Sequence, residues 1–437
     1  MEWQLALVVV FIPLVVLMAT GLPVAFVFLL IDAVAAWFLW GGMSGLEVLV
    51  LSLRDSVSSF AMLPIPMFVL MGEVIFQSGI ANGVIELVDK WLGRLPGRLG
   101  LLAVGSATLF SVMSGSQLAT TAMLGKLLIP EMQKRGYKKA LCIGPVMGSG
   151  GLAMIIPPSG LAVLFAALAE ISIGKLLIAG FVPGLIIAFF YATYVISRAT
   201  LQPSVAPAYE VPHIPLSEKL ISTVKYGLPV VVVVFLVLGL MFLGIATPSE
   251  AAAAGALGCL ILAAIYGRLN WQLVKKSIVG TIEVSVMTLM ILTGAIAFSQ
   301  LLVFTGITQG LVGFVTGLDL APLMIIIGMQ IVVLFLGTYM CTVSIMMITI
   351  PIYMPIIYAL GFDPIWFGLI MLINIEMAGT TPPFGMLLFV MKGVAPPDTT
   401  MLDIIKSGLP FLLCDATTMA LVIAFPTLAL WLPNMMF

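Results

Sequence analysis

Charged side chains are scarce in this sequence. Only 8% of its 437 residues are Asp, Glu, Lys or Arg, whereas 62% are hydrophobic. A soluble globular domain carries about 25% charged residues, so the composition predicts an integral membrane protein. The net charge of −1 gives no reason to expect a nucleic-acid partner. The apolar runs are long and do not alternate, which predicts an all-α polytopic membrane protein rather than a transmembrane barrel.

Histidine and cysteine are also rare. The single histidine, His213, lies in a polar loop, and the four cysteines are scattered through apolar runs. These spacings fit neither a metal site nor a disulfide framework, so no cofactor is expected and a redox or enzyme subunit is disfavoured. A Walker A motif is missing too, so the chain is not expected to hydrolyse ATP. Energy for transport would come from an ion gradient or from another subunit.

A stretch rich in glycine and proline interrupts the apolar segment 140–168. Between Gly148 and Gly160 it holds four glycines and two adjacent prolines, Pro157 and Pro158. Glycine costs about 1 kcal/mol and proline about 3 kcal/mol relative to alanine inside a helix. Irregular backbone persists at membrane depth only where protein buries it or a watery cavity solvates it. The stretch therefore predicts a broken transmembrane helix, as in secondary transporters. A proline kink without a ligand is the alternative.

A second stretch of this kind follows in the other half of the chain. The segment Asn374–Gly385 contains Pro382 and Pro383, 225 residues after the first pair of prolines. The motif Gly-Ile-x-x-Gly also occurs twice, at Gly79 and at Gly306, with an offset of 227 residues. The shared order and the similar offset predict an internal repeat.

A long apolar segment precedes each predicted broken helix. The first, 98–133, has Lys and Arg at both ends, and positive loops stay on the cytoplasmic side. Both ends on one side predict a re-entrant hairpin with its tip at Ser114-Gly115-Ser116, with two short spans as the alternative. The second segment, 318–360, is interrupted at 337–342 and has no Lys or Arg at its ends. It predicts a hairpin from the opposite side, and therefore two repeats of inverted topology.

These features divide the chain into five predicted parts. They are N-terminal scaffold helices at 1–78; a first inverted repeat at 79–200, with an arm, a hairpin at 98–133, a broken helix at 140–169 and a helix at 174–198; a cytoplasmic linker at 201–225; scaffold helices at 226–305; and a second inverted repeat at 306–437, with an arm, a hairpin at 318–360, a broken helix at 363–391 and a last helix at 407–432. Within the first part, the amphipathic segment Ser44–Phe60 is predicted to lie along the membrane surface. The polar stretch 393–406 is predicted to be a loop.

Hydroxyl groups cluster at both predicted hairpin tips and at both breaks. Na⁺ takes oxygen ligands from hydroxyls, exposed carbonyls and helix C-terminal ends, whereas helix N-terminal amides suit an anion. Each hydroxyl could instead bond the preceding helical turn, but two clusters at equivalent places favour ligation. The residues are Ser114, Ser116, Thr120, Ser149 and Ser159 in the first half and Thr338, Thr342, Ser344, Thr380 and Thr381 in the second.

Charges inside predicted spans are functional candidates by default. Glu376 is the strongest because it directly precedes the second break, and Glu73 and Asp32 are weaker candidates. Glu250 follows Thr247-Pro-Ser249, which indicates an acidic residue in the first turn of a helix.

A series of short motifs runs along the chain in a recognisable order. They are Ile65-Pro-Met-Phe-Val-Leu-Met-Gly72, Ser114-Gly-Ser116, Gly136-Tyr137, Ser149-Gly-Gly-Leu152, Ile156-Pro-Pro-Ser159, Ile173-Gly-Lys-Leu-Leu-Ile-Ala-Gly180, Pro183-Gly184, Thr247-Pro-Ser-Glu-Ala251, Gly361-Phe-Asp-Pro364 and Thr381-Pro-Pro-Phe-Gly385. Together they resemble the large membrane subunit, the M or DctM-like subunit, of TRAP transporters. The resemblance covers nearly the whole chain.

The resemblance implies an elevator-type fold like that of the ion transporter superfamily, with a scaffold domain and a transport domain, in the bacterial inner membrane. It implies import of an organic anion, a carboxylate or a sulfonate, with Na⁺ as the coupling ion. It also implies two partners, a small four-helix Q subunit and a periplasmic substrate-binding protein. An autonomous Na⁺-coupled dicarboxylate symporter that needs no binding protein is the related alternative.

The resemblance also implies a Na⁺ site between each hairpin tip and its broken helix, and no other metal. The first site maps to Ser114, Gly115, Ser116, Gly148, Ser149, Gly150 and Gly151, and the second to Gly337, Thr338, Tyr339, Met340, Cys341, Ala378, Gly379, Thr380 and Thr381. Substrate is expected to face Ser116, Pro157, Pro158, Ser159, Thr342, Glu376, Pro382 and Pro383. Many family members have an acidic residue where this chain has Cys341, a departure that bears on the second cation site or on substrate preference.

Overall fold

The computed structural model describes residues 2–114, 116–207, 209, 214–338, 340–383 and 385–436. Regular secondary structure in these ranges is helical and includes no β-strand, which confirms the predicted all-α fold. Six of the described helices are long and apolar enough to cross a membrane, or eight if each of two bent pairs counts as one span.

The helices follow one another with short connections. In the first half they are α1 (Trp3–Ala19), α2 (Val24–Leu39), α3 (Met43–Ser58), α4 (Pro64–Ser78), α5 (Ile80–Leu92), α6 (Arg98–Ser114), α7 (Gln117–Lys134), α8 (Lys139–Ile155), α9 (Gly160–Leu168), α10 (Ile173–Ala179) and α11 (Phe181–Leu201). In the second half they are α12 (Leu216–Phe242), α13 (Pro248–Ile265), α14 (Trp271–Phe304), α15 (Ile307–Thr316), α16 (Pro322–Gly337), α17 (Thr342–Ala359), α18 (Pro364–Thr380), α19 (Met386–Val394), α20 (Met401–Ala424) and α21 (Thr427–Leu430).

Glycines in the left-handed conformation begin both arm helices. Gly79, with a φ of 68°, joins α4 to α5, and Gly306, with a φ of 75°, joins α14 to α15. Only glycine adopts this conformation without steric cost, so the repeated motif marks an equivalent corner in each half. The same elements follow each corner: an arm, two hairpin helices, two helices separated by a break, and further helices.

Both breaks fall at the paired prolines. The first broken helix consists of α8 and α9, which are bent by 44° relative to each other. The second consists of α18 and α19, separated by the stretch 381–385. Proline has no N–H to donate and clashes with the preceding turn, so neither helix can continue through its pair.

The predicted linker at 201–225 is wrong at its C-terminal end. Helix α12 begins at Leu216 because polar side chains of its first turns dock on the first arm. Lys90 of α5 forms an ion pair with Glu218 at 3.2 Å and donates a hydrogen bond to Ser222 at 2.8 Å. Trp91 donates to Thr223 at 2.9 Å. His213 lies outside the described residues.

The predicted bounds of the last helix, 407–432, are also wrong. Helix α20 begins six residues earlier because Thr400 and Asp403 form a capping box, with bonds of 3.1 and 3.0 Å between each side chain and the other backbone N–H. It ends at Ala424, two residues before Pro426. The predicted loop 393–406 is therefore largely helical. The predicted helix 174–198 is two helices, α10 and α11, that meet at Gly180.

Two helices form the buried centre of the molecule. Every residue from Leu141 to Ser159 and from Ile365 to Thr380 is buried. Helices α6, α7, α11 and α20 pack around α8, while α16, α17 and α20 pack around α18, and α8 contacts α18 directly. A second, smaller core joins α1, α2 and α14 and also includes Met347 and Ile348 of α17. Helix α3 packs on α2 and α14, and its position along the membrane surface stays a prediction.

Candidate functional site

The first hairpin packs closely against the first half of its broken helix. The hydroxyl of Ser149 donates to the main-chain oxygen of Pro145 and lies 3.5 Å from that of Ala103 in α6. A Cβ at Gly150 would overlap Oγ1 of Thr121, so glycine is what lets α7 approach α8 this closely. Helices α7 and α8 are joined by a short loop and run antiparallel. Ser116 precedes Thr121 by roughly 7.5 Å of helix, which brings the hairpin tip towards the break.

The second hairpin packs on the second broken helix in the same way. A Cβ at Gly337 would overlap the Cβ of Ala378, so the end of α16 touches the end of α18. Nδ2 of Asn374 donates to the main-chain oxygen of Gln330 at 2.7 Å and to its Oε1 at 2.8 Å. These contacts place the two predicted parts of the second Na⁺ site next to each other.

Five of the candidate hydroxyls at the tips and breaks make the local bonds that the alternative interpretation describes. Two act as helix caps, since Ser116 accepts from the backbone of Ala119 and Ser159 from that of Ala162. Others donate to a carbonyl one turn earlier: Thr338 to Phe335, and Thr380 and Thr381 to Met377, at 2.7 to 2.9 Å. A hydroxyl that donates in this way keeps oxygen lone pairs for a cation. Local bonding and ligation are therefore compatible here.

Each break also places the ends of two helices, with their unpaired backbone groups, next to each other. The last four carbonyls of a helix have no partner within it, and the amides at the start of the next helix have none either. At the first break α8 ends at Ile155 and α9 begins at Gly160. Such a gap offers oxygen atoms to a cation and N–H groups to an anion within a few residues.

The two breaks differ in exposure. Pro157, Pro158 and Ser159 are buried at the first break. At the second break Thr381 and Pro382 are half-buried and Pro383 is exposed. The second break therefore lies at the surface of the chain, whereas the first lies inside it.

Elements of one half complete the surroundings of the other. Helix α7 of the first hairpin packs on α19, beyond the second break, and α17 of the second hairpin packs on α9, beyond the first break. Nε2 of Gln117, next to the first tip, lies 4.0 Å from where a Cβ of Gly379 would be. Both predicted Na⁺ sites therefore lie in one connected region.

Glu376, predicted from sequence, forms a carboxyl pair in this region with Asp415, which was not predicted. Glu376 and Asp415 are both 1% exposed and face each other between α18 and α20. Tyr191 of α11 donates a hydrogen bond of 2.5 Å to Oδ1 of Asp415. Asp415 lies inside the predicted last span, so the rule that singled out Glu376 would have found it as well.

The remaining predicted residues lie at various distances from this region. Gly115 and Tyr339 lie outside the described residues. Cys341 is half-buried, with its Sγ 2.9 Å from Oγ of Ser344. Asp32 is buried within the smaller core, and Glu73 packs on Gly280 of α14, so neither joins the two broken helices.

An ion pair ties the start of the first broken helix to the loop before α20. Nζ of Lys139 lies 2.9 Å from Oδ2 of Asp398 and 3.3 Å from Oδ2 of Asp403. The hydrogen bond from Lys139 lowers the pKa of Asp398. The beginning of α8 is thus fastened to the beginning of α20.

Two pairs of helices packed on two interrupted apolar helices define a class, a polytopic membrane transport protein. The sequence matches the family model described as "Tripartite ATP-independent periplasmic transporter, DctM component" over residues 11–428. The chain therefore belongs to the DctM family, the large permease component of TRAP transporters.

Individual relatives agree with this assignment. The chain is 34% identical to the C4-dicarboxylate TRAP transporter large permease protein DctM of Pseudomonas aeruginosa, over 90% of this chain and 93% of the relative. It is 31% identical to the isethionate TRAP transporter permease protein DctMQ of Oleidesulfovibrio alaskensis, over 78% of this chain and 53% of the relative. The crystal structure of the YdaH transporter of Alcanivorax borkumensis has the same fold, with a TM-score of 0.64, 15% identity and coverage of 90% of this chain and 89% of that one.

Proposed function

We propose that this permease imports a small organic anion, a carboxylate or a sulfonate, together with Na⁺ across the bacterial inner membrane. The observation that carries the proposal is the close packing of each hairpin on its own broken helix, at Gly150 and at Gly337. Two such contacts supply clustered hydroxyls and helix ends, which secondary transporters use for cations and anionic substrates.

One Na⁺ is proposed to bind between the first tip and Gly148–Gly151, and the other between Gly337–Cys341 and Ala378–Thr381. Hydroxyl and carbonyl oxygens at both places suit a hard cation. The sulfur of Cys341 is a soft ligand and a poor substitute for a carboxylate. Main-chain carbonyls and the hydroxyls of Thr380 and Thr381 are therefore proposed to carry the second site.

The substrate is proposed to bind near the second break. Pro383 is exposed there, and the N-terminus of α19 follows directly. The N–H groups of a helix N-terminus attract carboxylate or sulfonate oxygens. Pro157, Pro158, Ser159 and Thr342 are proposed to complete the binding site from the first half and from the second hairpin.

An elevator motion is proposed to move this region across the membrane. The moving part would comprise both hairpins, both broken helices and the helices that follow them. The smaller core of α1, α2 and α14 would belong to the static part, and Met347 and Ile348 of α17, which pack in the same core, would form part of the surface along which the moving part slides. A small Q subunit is proposed to buttress the static domain, and a periplasmic binding protein to deliver substrate.

Uptake into proteoliposomes tests this function. The permease would be reconstituted with its Q subunit and binding protein, with labelled succinate and isethionate as the first substrates. We expect uptake of a substrate only with an inward Na⁺ gradient and with the binding protein present. Uptake by this chain alone would instead support an autonomous symporter, and uptake that ignores Na⁺ would contradict the proposed coupling.

Two substitutions test the Na⁺ sites in the same assay. Ser116→Ala and Thr381→Ala each remove one oxygen ligand, so the Na⁺ concentration for half-maximal uptake should rise about tenfold, equivalent to ~1.4 kcal/mol. Thr193→Ala is a matched control, because this exposed hydroxyl on α11 donates to the carbonyl of Phe189 one turn earlier and lies far along the chain from both predicted sites. Unchanged Na⁺ activation in both site variants would refute the site assignment.

A further inference from the structure

One carboxyl group connects the two broken helices. Oε1 of Glu376, on α18, occupies the space beside Gly151 of α8, where a Cβ would overlap it. Gly151 belongs to the first predicted Na⁺ site, and Glu376 precedes Ala378 of the second predicted site by two residues. A single buried side chain therefore touches the backbone of one site and extends from the helical turn that carries the other.

The opposite side of this carboxyl group is held by two further helices. Asp415 of α20 lies beside Glu376, and Tyr191 of α11 donates to Asp415 at 2.5 Å. Asp415 is the polar side chain that faces the carboxyl group of Glu376, and no other described residue donates a hydrogen bond to its oxygens. Phe411, one turn before Asp415, packs on Gly148 and on the ring of Tyr191. Asp415 and Tyr191 thus fix where the Glu376 side chain can lie.

We infer that Glu376 is a positioning residue that couples the two Na⁺ sites. The inference rests on the proposed Na⁺ coupling and assigns the residue through which one ion influences the other. A cation in the second site fixes the end of α18, and with it the Glu376 carboxyl group against Gly151. This favours the arrangement of α8 that binds the first cation. Because coupling is a free energy shared by two sites, the first cation must favour the second equally.

The contact suits this role because it is close and buried. In a closely packed interior, a small shift of one helix moves its neighbour, whereas a cavity the size of a methylene group between them would leave the neighbour in place. Truncation of Glu376 to alanine should therefore leave both sets of Na⁺ ligands in place and remove only the connection between them. Glutamine should preserve the connection, because its amide fills the same space and can donate to Asp415.

Direct binding of radioactive sodium to the purified permease tests the inference. At constant ionic strength, the wild type should bind two ions with a Hill coefficient approaching about 2. Glu376→Ala should bind two ions at saturation with a Hill coefficient near about 1, and Glu376→Gln should restore cooperative binding. Tyr191→Phe keeps the ring packed and removes only the hydroxyl, so an intermediate value is expected. Asp32→Ala, which alters another buried acid in the smaller core, is the matched control and should bind like the wild type.

Each outcome separates the inference from the function on which it rests. Wild-type cooperativity in both Glu376→Ala and Tyr191→Phe would overturn the inference, and Tyr191→Phe decides alone if the alanine variant does not fold. Loss of cooperativity in Glu376→Gln as complete as in Glu376→Ala would overturn the contact mechanism. If the wild type binds two Na⁺ ions without cooperativity, the inference is also refuted, while the proposed Na⁺ coupling of transport stands. A wild type that binds no Na⁺ would refute that coupling itself.

Discussion

The two broken helices of this permease share their design and differ in their surroundings. Both stop at paired prolines, and both pack on their own hairpin, at Gly150 with Thr121 and at Gly337 with Ala378. The first break is buried, however, whereas the second is partly exposed at Pro383. Two halves built from the same elements in the same order therefore bury their breaks to different extents.

The helices that follow the first break explain its burial. A Cβ at Gly180 would overlap the main-chain oxygen of Ile155, and one at Gly184 would lie 2.5 Å from the Ile156 side chain. The junction of α10 and α11 thus lies directly on the first break. After the second break, the chain instead continues through α19 and the loop 395–400 into α20, which leaves Pro383 uncovered.

Thiol labelling should show the largest difference between the breaks. In a background with Cys341 and Cys414 replaced by alanine, Pro383→Cys should react with a maleimide about a hundredfold faster than Ser159→Cys. A buried thiol reacts only after local opening, and a hundredfold retardation corresponds to an opening free energy of ~2.7 kcal/mol. Equal rates, measured by mass spectrometry over time in the purified permease, would show that the breaks are equally accessible in solution.

Substitution of Gly180 by alanine should disturb the first break selectively. The new methyl group would overlap backbone, which has no rotamer with which to yield, so a loss of about 2–3 kcal/mol is expected. The control is Gly393→Ala in α19, where no atom of the described residues lies within 4 Å of a Cβ. The control should leave the unfolding temperature unchanged or raise it, since alanine favours helix. A Gly180→Ala variant as stable as the control would show that the first break is not closely covered.

Local chemistry explains what the sequence reveals about these regions. Paired prolines end helices wherever they stand, and Gly79 and Gly306 mark corners because they need a positive φ. Basic residues at the ends of 98–133 suggested a hairpin, and helices α6 and α7 lie there. The capping box of Thr400 and Asp403 was equally readable, but the polar composition of 393–406 favoured a loop.

Contacts between distant segments could not be predicted in this way. The carboxyl groups of Glu376 and Asp415 meet only because α18 and α20 pack together, and no periodicity specifies their register. The burial of Pro157 and the exposure of Pro383 depend on what packs over each break. The two Pro-Pro pairs therefore predicted the same kind of helix break twice, although the folded chain buries one break and exposes the other.

The hairpins should also differ in how firmly they are attached. Asn374 holds the second hairpin through two bonds of 2.7 and 2.8 Å to Gln330, whereas Ser149 reaches the first hairpin through one contact of 3.5 Å to Ala103. Polar contacts between membrane helices are worth about 0.6 kcal/mol on average and about 1.7 at most. Asn374→Ala should therefore lower stability by roughly 1–2 kcal/mol and Ser149→Ala by less than about 0.5. Thermal unfolding of the two variants in parallel would test this order, and the reverse order would contradict it.

The two broken helices also begin differently, and this difference predicts a small dependence of the unfolding temperature on pH. Helix α18 begins with Asp363, whose Oδ1 accepts bonds from two backbone N–H groups, whereas α8 begins with the ion pair of Lys139 and Asp398. The hydrogen bond from Lys139 lowers the pKa of Asp398 below its unfolded value. The stabilisation is therefore fully present above the unfolded pKa and is lost as the pH falls through the folded pKa. Asp398→Asn should lower the unfolding temperature slightly at neutral pH, and this difference from the wild type should vanish in acid, since a protonated Asp398 pairs no better than an amide. A difference that persists unchanged in acid would show that the ion pair does not stabilise the start of α8.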